Sequence, residues 1–544
     1  MRVSPLTFLF FLTYSLSQVT TAQWSTDPSN NLIVGYGLLP ELASDSSGGC
    51  YITYEQNGSY PRSLVLERLD RYGYKPWSGS KQITGLFPEQ SSAKIISDGS
   101  NGVIVTYLDI VLIADSSGLR GTSRVRVQRV DSNGNFLWGT HGVRVTASET
   151  EQSNQTVVSD GNGGCIIAWN DTLGDLRINR VDSLGSRAWG DSGKYVWNSP
   201  ERPPMIEDGI GGCYIVYGIG RLQRFNQYGN MYWPSSGILV PAGAVNMKRD
   251  LSSSIYLLGS EYLGFSNGAN LITINLQKVD SAGSFAWGSN GIDLDTLNTN
   301  GYVLFDFTYQ AGYSNVSWPQ YINGHWDLLT QIVRNDGSSV LPPGHHTVSA
   351  ISSEKILRGI IASKEITTLY VWTDYRSGDG TFAQCLDTLG QHLWDSNDVA
   401  ISLPALSYTN VISDCQGGFI VVGSKDNFTI RAQQVSVNGK LGEIITNVEI
   451  DDPQNLPKQI LLSQNYPNPF NGGTVIEFSI SERNYVSLVI FDNCGRQVDM
   501  PYAGWVDKGT YNIKWDGSRF SSGVYFSKLT YGAFSETRRM LLIR

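Results

Sequence analysis

The sequence predicts an all-β protein, and three observations lead to that prediction. The 544 residues include 58 glycines, 14 tryptophans and 28 tyrosines but only 16% charged residues, which suits Gly-rich turns between aromatic strands. A turn pattern recurs through the middle of the chain, and short alternating segments follow it near the C-terminal end. The net charge of −9 is a mild imbalance and argues against a nucleic-acid or anionic-membrane surface, which would need clustered Lys and Arg.

The first 22 residues have the pattern of a secretory signal peptide. Met1-Arg2 precede an apolar run from Leu6 to Leu16, which is too short to span a bilayer. Small residues end the segment at Ala22, so residues 1–22 are predicted to be removed and Gln23 to begin the mature chain. An uncleaved anchor is the alternative. No later stretch is long and apolar enough to predict a transmembrane helix.

The middle of the chain repeats the pattern Val-Asp-x-x-Gly-x-x-x-Trp with some variation. The first residues of successive copies are 44 to 61 residues apart. Six copies are clear: Asp70/Gly73/Trp77, Asp131/Gly134/Trp138, Asp182/Gly185/Trp189, Asn226/Gly229/Trp233, Asp280/Gly283/Trp287 and Asp387/Gly390/Trp394. Two eroded copies fit the same frame: Arg334/Gly337/Leu341, between the fifth and sixth clear copies, and Ser436/Gly439/Glu443 at the end. We number these eight copies as repeats 1 to 8 in chain order.

Each repeat predicts four strands. A second element, Ser-Asp-x-x-Gly-Gly, precedes an apolar strand, as at Ser44-Asp45 and Ser159-Asp160. In repeat 2 the predicted strands include Val103–Tyr107 and the alternating Arg124–Val130. Four-stranded units at this period are typical of a β-propeller, and this part resembles the repeat β-propellers of secreted bacterial proteins. Eight copies predict an eight-bladed propeller over residues 23–450, with seven blades as the alternative.

The two ends of the repeat region are predicted to meet. Repeat 8 has Glu443 where other repeats have Trp, whereas the mature N-terminus carries Trp24 followed by the strand-like Asn31–Tyr36. This segment matches the piece that repeat 8 lacks, and an unclosed ring would leave strand edges exposed. We therefore expect the N-terminus to complete the last blade. The alternative is that residues 444–450 supply the fourth strand alone.

The repeated residues are interpreted as architecture rather than chemistry. Asp or Asn opens a turn by bonding its own backbone, and Gly supplies the positive φ. Copies such as Asp182-Ser183-Leu184-Gly185 lack the further oxygen ligands of a calcium loop. The six cysteines, with no CxxC pair, are interpreted as small buried apolar residues: Cys50, Cys165, Cys213, Cys385, Cys415 and Cys494. No catalytic, cofactor-binding or metal-binding residue is predicted.

The C-terminal residues, about 460–544, form a second predicted domain. Tyr466-Pro467-Asn468-Pro469 excludes a helix and predicts an extended entry, with Tyr466 and Phe470 free to pack. At least five short strands follow, which predicts a small β-sandwich. Residues 451–459, which contain Pro and Asp, are predicted to be a linker.

This part resembles the C-terminal sorting domain (type A) of type IX secretion cargo, an Ig-like sandwich of the flagellar hook-cap kind. The resemblance rests on a set of motif residues: Tyr466, Pro467, Asn468, Pro469, Phe470, Gly495, Gly523 and Tyr525. It implies that the type IX machinery is a partner and that the protein passes through the periplasm to the outer surface or beyond.

The function of the propeller is left open among three classes. Binding of an extracellular glycan or surface protein is the preferred interpretation, a polysaccharide hydrolase or lyase is the second, and a structural or adhesion component is the third. Four aromatic residues in an aromatic-rich stretch are candidates for stacking on a ligand, although packing within the sheet is the simpler interpretation: Tyr313, Trp318, Tyr321 and Trp326.

Overall fold

A computed structural model describes most of the chain. It covers residues 24–543 except 57–61, 86–88, 116–117, 241–242, 251–252, 267–268, 300–303, 323, 343–345, 350, 364–365, 377, 427, 444–460, 481–483, 493–496, 519, 521 and 532–533. The predicted signal peptide, the linker 451–459, the alternative strand 444–450 and Gly495 lie outside the described residues.

The strands follow the eight repeats. In repeats 1 to 3 they are β1 (Leu32–Ser44), β2 (Cys50–Gln56), β3 (Leu64–Leu69), β4 (Lys81–Ile83), β5 (Glu89–Ser97), β6 (Val103–Asp115), β7 (Gly118–Val130), β8 (Val143–Arg144), β9 (Gln152–Ser159), β10 (Cys165–Asp171), β11 (Asp175–Val181) and β12 (Lys194–Asn198). In repeats 4 to 6 they are β13 (Met205–Glu207), β14 (Cys213–Tyr217), β15 (Arg221–Phe225), β16 (Ile238–Leu239), β17 (Gly243–Arg249), β18 (Ile255–Ser266), β19 (Ala269–Val279), β20 (Ile292–Thr299), β21 (Asp306–Gln310), β22 (Tyr313–Ile322), β23 (His325–Arg334) and β24 (His346–Thr347). In repeats 7 and 8 they are β25 (Lys355–Ala362), β26 (Thr368–Asp374), β27 (Gly380–Leu386), β28 (Val399–Ser402), β29 (Ser407–Ser413), β30 (Phe419–Lys425) and β31 (Thr429–Val435).

Repeats 2 to 7 each form one four-stranded antiparallel sheet with the strands in chain order. Repeats 1 and 8 share a seven-stranded sheet with the order β29-β30-β31-β1-β2-β3-β4. A series of four-stranded antiparallel sheets of this kind is a propeller-like architecture.

The long strand β1 joins the two ends of the repeat region. Its first half pairs with β31, with Leu32 opposite Ala432 and Tyr36 opposite Thr429. Its second half, from Gly37 to Ser44, pairs with β2. The prediction that the N-terminal segment completes repeat 8 is confirmed. One continuous strand therefore belongs to both repeats. It pairs with the edge of repeat 8 that would be exposed if the ring were open.

The hydrophobic core is divided among the junctions between neighbouring repeats. Repeats 2 and 3 share one cluster that includes Val127, Trp138 and Ile167. The cluster of Trp24, Ile52 and Ile420 likewise joins repeat 1 to repeat 8. The first strands of successive repeats also contact one another, and β29 contacts β1. Packing therefore continues from each repeat to the next and returns to the start.

The repeated Asp is a turn cap, as predicted. In repeat 2 the Asp131 Oδ1 accepts the backbone N–H of Asn133 at 2.9 Å and of Asn135 at 2.8 Å. The equivalent residues Asp70, Asp182, Asn226, Asp280 and Asp387 make the same pair of bonds. These oxygens satisfy the turn's own donors, which is the usual role of Asx side chains in turns.

The repeated Trp packs on the turn Gly of the next repeat. The Trp138 indole Nε1–H donates to the Ser183 carbonyl at 3.1 Å, and a Cβ on Gly185 would lie 2.9 Å from Trp138 Cδ1. Gly185 also has φ of +84°, so both space and backbone require glycine. Trp24 makes the corresponding contacts with Arg71 and Gly73 of repeat 1, with the indole bond at 2.9 Å. Trp24 thus takes the place of the Trp that repeat 8 lacks.

Four cysteines are buried and one is exposed among those described. The interpretation of buried apolar residues is confirmed for Cys50, Cys165, Cys213 and Cys385. It is wrong for Cys415, because this residue lies in the Asp414–Gly418 turn with φ of +57° rather than on a strand. Cys494 is outside the described residues.

The C-terminal part has two sheets around one core. Its strands are β32 (Leu461–Leu462), β33 (Gly473–Ile480), β34 (Asn484–Asp492), β35 (Gln497–Val506), β36 (Gly509–Asp516), β37 (Gly523–Tyr531) and β38 (Phe534–Leu542). The sheets have the orders β32-β33-β36 and β35-β34-β37-β38. Both contribute to a cluster that contains Phe478, Leu488 and Trp515.

Candidate functional site

The Tyr466–Phe470 segment is not the extended strand that the prolines predict. It meets its neighbours through two isolated bridges, Tyr466 with Val475 and Phe470 with Leu542. Because Pro lacks an N–H, residues 467 and 469 cannot continue a strand ladder, so side-chain hydrogen bonds hold the part between the two bridges. Asn468 accepts the Leu541 N–H at 2.8 Å, and its Nδ2 donates to the Arg539 carbonyl at 3.2 Å. The segment therefore covers the outer edge of β38.

The predicted motif residues divide into a buried and an exposed group. Phe470 and Tyr525 are buried, and their ring centroids each lie 5.6 Å from that of Trp515. Gly523 opens β37 opposite Leu542. Tyr466 is 82% exposed rather than packed, so the expectation that it would pack is wrong. Pro467, Asn468 and Pro469 are also exposed.

The four candidate aromatic residues lie on the β22–β23 hairpin in different surroundings. Trp318 is buried and donates to Asp295 Oδ2 at 3.2 Å, so it packs between repeats 5 and 6 instead of facing a ligand. Tyr313 is half-buried at the start of β22. Tyr321 is exposed, and Trp326 is half-buried against it in an edge contact with centroids 5.6 Å apart. Only Tyr321 offers most of its ring to solvent.

Three repeats have unusually long hairpins between their second and third strands. The second strand has 13, 12 and 10 residues in repeats 2, 5 and 6, compared with 5 residues in repeat 4. At about 3.3 Å per residue, the hairpin of repeat 5 reaches roughly 20 Å beyond that of repeat 4. The turns of these hairpins lie on one side of the repeats, which we call the hairpin side. The Asp turns lie on the opposite side, which we call the turn side. In repeat 2 the extension of the hairpin consists of residues 108–115 and 118–122.

The tip of the repeat 5 hairpin exposes apolar side chains. Tyr262, Leu263 and Phe265 are exposed, the last of them by 69%. Tyr262 lies directly opposite Ile272, so the two share a face, and Ile272 packs in the core between repeats 5 and 6. This face therefore turns toward the Tyr321 hairpin. Sequence reasoning missed these residues, although the run Tyr262-Leu263-Gly264-Phe265 lies beyond the second-strand length of the repeats with short hairpins.

Repeat 7 contains a buried cluster of charged residues near the hairpin side. Asp374 accepts hydrogen bonds from Arg376 Nη2 at 2.5 Å, Ser353 Oγ at 2.7 Å and Trp372 Nε1 at 3.0 Å. Arg376 also binds Asp398 Oδ2 at 2.8 Å, and Lys355 Nζ lies 3.9 Å from Asp374 Oδ2. Fixed protein donors surround Asp374, which suits an anchor for the end of β26 better than a proton-transfer site.

The electrostatics of the cluster agree with an anchoring role. Burial acts to raise the pKa of Asp374, but the hydrogen bonds from Arg376, Ser353 and Trp372 outweigh it and hold the pKa below its ordinary value. Burial lowers the pKa of Lys355, and the nearby Asp374 and Asp327 oppose that shift. The ionised form of Asp374 is therefore the one that the fold stabilises.

Replacing Asp374 by asparagine should make the fold less stable at neutral pH and less sensitive to acid. Because the pKa of Asp374 is lower in the folded chain than in the unfolded one, its stabilisation is present above the unfolded pKa, about 4, and is lost as pH falls through the folded pKa. We expect Asp374→Asn to lower the free energy of unfolding by about 2 kcal/mol at pH 7. Urea unfolding at pH 7 and pH 3 tests this, with Asp379→Asn in an exposed position as the control. An equal acid dependence in Asp374→Asn and wild type would contradict it.

Comparison with known proteins identifies the C-terminal part. Residues 464–543 match the family model of the secretion system C-terminal sorting domain. This part is therefore a type IX sorting domain, and the protein is one that is secreted to the outer cell surface or the extracellular space. No curated protein matches the chain. Among the described residues, no helix is long and apolar enough to cross a membrane.

Solved structures give only distant likenesses. Sqt1 from Chaetomium thermophilum is 10% identical over 74% of this chain and 98% of its own, with a TM-score of 0.37. Semaphorin 2a from Drosophila is 9% identical over 96% of this chain and 98% of its own, with a TM-score of 0.33. A protein of unknown function from Dyadobacter fermentans is 10% identical over 74% of this chain and 95% of its own, with a TM-score of 0.32. The strand pairing of the chain itself defines its fold.

Proposed function

We propose that this protein is an exported ligand-binding protein, in which residues 23–450 form an eight-bladed β-propeller and residues 460–544 an Ig-like sorting sandwich. The eight turn copies, the core clusters between successive repeats and the contact between β29 and β1 support eight blades. The residues between the two domains, 451–459, are the linker in this proposal.

The exposed apolar tip of the β18–β19 hairpin carries the binding proposal. Tyr262, Leu263 and Phe265 are exposed although the same hairpin buries Leu258, Ile274 and Leu276 at its base. Exposed apolar clusters on long loops over a rigid scaffold are typical of interaction sites. A ligand of the hairpin side, a glycan or a surface protein, would contact this tip and Tyr321.

The first strands favour binding over hydrolysis. A glycoside hydrolase needs two carboxyl groups that converge on one bond. Glu41, Glu207 and Asp306 lie on first strands of different repeats, and each has its own partner: Lys94, Arg249 and Asn246. Carboxylates that are engaged separately do not form such a pair.

The sorting domain directs the export that brings the propeller to its ligand. The exposed Tyr466–Pro469 segment is the part of the motif that the type IX machinery can reach, whereas Phe470 and Tyr525 support it from the core. The machinery is thus a partner during export, and the propeller meets its ligand outside the cell.

Binding by the full mature chain tests the proposal. The chain from residue 23 to 544 would be screened on a glycan array and against surface proteins of neighbouring cells. We expect a ligand whose affinity falls at least about tenfold in the double variant Tyr262→Ser, Phe265→Ser. The matched control replaces two exposed residues of the turn side, Leu184→Ser and Ile210→Ser, and should keep the affinity. No ligand in either screen, or equal losses in both variants, would contradict the proposal.

A further inference from the structure

Six repeats have a bulge at the same place in the first strand, and in four successive ones, repeats 8, 1, 2 and 3, the bulge holds a residue other than glycine at positive φ. The register shifts between Ser407 and Asn410 in repeat 8, Leu38 and Glu41 in repeat 1, Ser91 and Lys94 in repeat 2, and Ser153 and Thr156 in repeat 3. Each of these four bulges holds one such residue: Tyr408 at 50°, Leu39 at 51°, Ser92 at 53° and Asn154 at 55°. This conformation is unfavourable for large side chains, and bulges redirect side chains at functional sites.

Side-chain contacts join these bulges into one surface. Asn410 Nδ2 donates to the Pro40 carbonyl at 2.7 Å, which joins repeat 8 to repeat 1. Lys94 Nζ pairs with Glu41 Oε1, which joins repeat 1 to repeat 2. Gln155 Nε2 donates to the Ser92 carbonyl at 2.5 Å, which joins repeat 2 to repeat 3. We call residues 408–410, 39–41, 92–94 and 154–156 the bulge arc.

The bulge arc exposes one aromatic and one aliphatic side chain on the first strands of the repeats. Tyr408 is 55% exposed and Leu39 is 44% exposed. Both lie on first strands, and these strands contact one another around the ring, so they form its inner side. Neither side chain belongs to the core clusters of its own repeat. The strained backbone of two large residues therefore exposes apolar surface where a ligand could enter.

The charged side chains of the bulge arc form one pair of opposite charges. The Glu41 carboxylate and the Lys94 ammonium neutralise each other while each remains partly exposed. Asn410 and Asn154 engage their Nδ2 groups with backbone carbonyls, so the oxygen is the atom that each can offer to a ligand. A paired surface of this kind lacks the free cations that an anionic polymer would need.

We propose that the bulge arc binds a neutral oligosaccharide, with one sugar ring on Tyr408; this inference rests on the proposed binding function. A pyranose ring has an apolar C–H face that fits an aromatic ring and Leu39. Its hydroxyl groups can both donate and accept, which matches the Glu41–Lys94 pair and the asparagine oxygens. A lipid would give the asparagine oxygens no donor, so it fits the arc less well.

Affinity measurements on the full mature chain test the site. The probes are neutral hexasaccharides of glucose, mannose and xylose, with polygalacturonate as the anionic probe. Tyr408→Ala should weaken binding of a neutral probe at least about tenfold, whereas Tyr408→Phe should stay within about threefold. Tyr228→Ala, at an exposed turn-side tyrosine, is the control and should bind as wild type.

A second measurement does not depend on how the variants fold. Tyrosine nitration of the wild-type chain, quantified by mass spectrometry, should slow at Tyr408 and not at Tyr228 when the neutral probe is present. A nitration rate at Tyr408 that the neutral probe leaves unchanged, or unchanged affinity in Tyr408→Ala, would overturn the inference. If a protein or only the anionic probe binds through the Tyr262–Phe265 tip, the inference fails while the proposed function stands. If no ligand binds at all, both fail.

Discussion

Replacement of Trp24 by alanine should destabilise the ring more than any surface substitution. Trp24 is buried between repeats 8 and 1, where it packs on Gly73 and in the cluster with Val34 and Ile420. Removing a buried indole costs about 3–5 kcal/mol, and here it also removes the donor to the Arg71 carbonyl. We expect a lower urea midpoint and faster proteolysis near the N-terminal segment.

The neighbouring Tyr36 provides the matched control. It lies on the same β1 half that pairs with β31, but its side chain is exposed. Tyr36→Ala should change the free energy of unfolding by about 0.5 kcal/mol or less, as surface substitutions usually do. A Trp24→Ala protein as stable as Tyr36→Ala would mean that Trp24 does not help to close the ring.

Deletion of residues 460–544 should abolish export from the periplasm. The family match to residues 464–543 assigns sorting to this part, and its edge segment and core are both lost in the deletion. We expect the truncated protein in the periplasmic fraction and none in the medium or at the outer surface. Immunoblots of cell fractions measure this.

Two controls separate sorting from folding. The trapped protein should show the cooperative urea transition of the repeat region, because among the described residues the core clusters of the repeats contain none from the sorting domain. Conversely, residues 460–544 fused behind a reporter with a signal peptide should send the reporter out of the cell. Normal release of the truncated protein would refute the sorting role.

The organisation of the repeats could be read from the chain because its causes are local. An Asp that caps donors two and four residues ahead, and a Gly that supplies positive φ, need only a short stretch of sequence, as Asp131 and Gly134 illustrate. The closure by Trp24 was predictable for a related reason: the repeat defines what is missing after Glu443, and the N-terminus supplies it.

The candidate site was less predictable. Trp318 and Tyr321 are three residues apart on one strand, yet the first is buried and the second exposed. Trp318 is buried because it packs against repeat 5, where Asp295 accepts its indole N–H and Ile272 belongs to the same core cluster, and a local pattern does not reveal that neighbour. The conformation of Tyr466–Phe470 was predicted incorrectly because its path depends on β38, about seventy residues further along.

The sequence alone determined the all-β class, the eight turn copies, the meeting of the chain ends and the sorting tail. The first three follow from bonds and backbone preferences within a few residues, or from a missing copy of a repeated pattern, whereas the sorting tail follows from its resemblance to a known family. Only the tertiary structure decided that Cys415 is exposed, that the hairpin of repeat 5 projects with Phe265 at its tip, and that four bulges form one arc. Exposure and alignment of this kind arise when separate repeats pack side by side, so they are properties of the assembled ring rather than of any single segment.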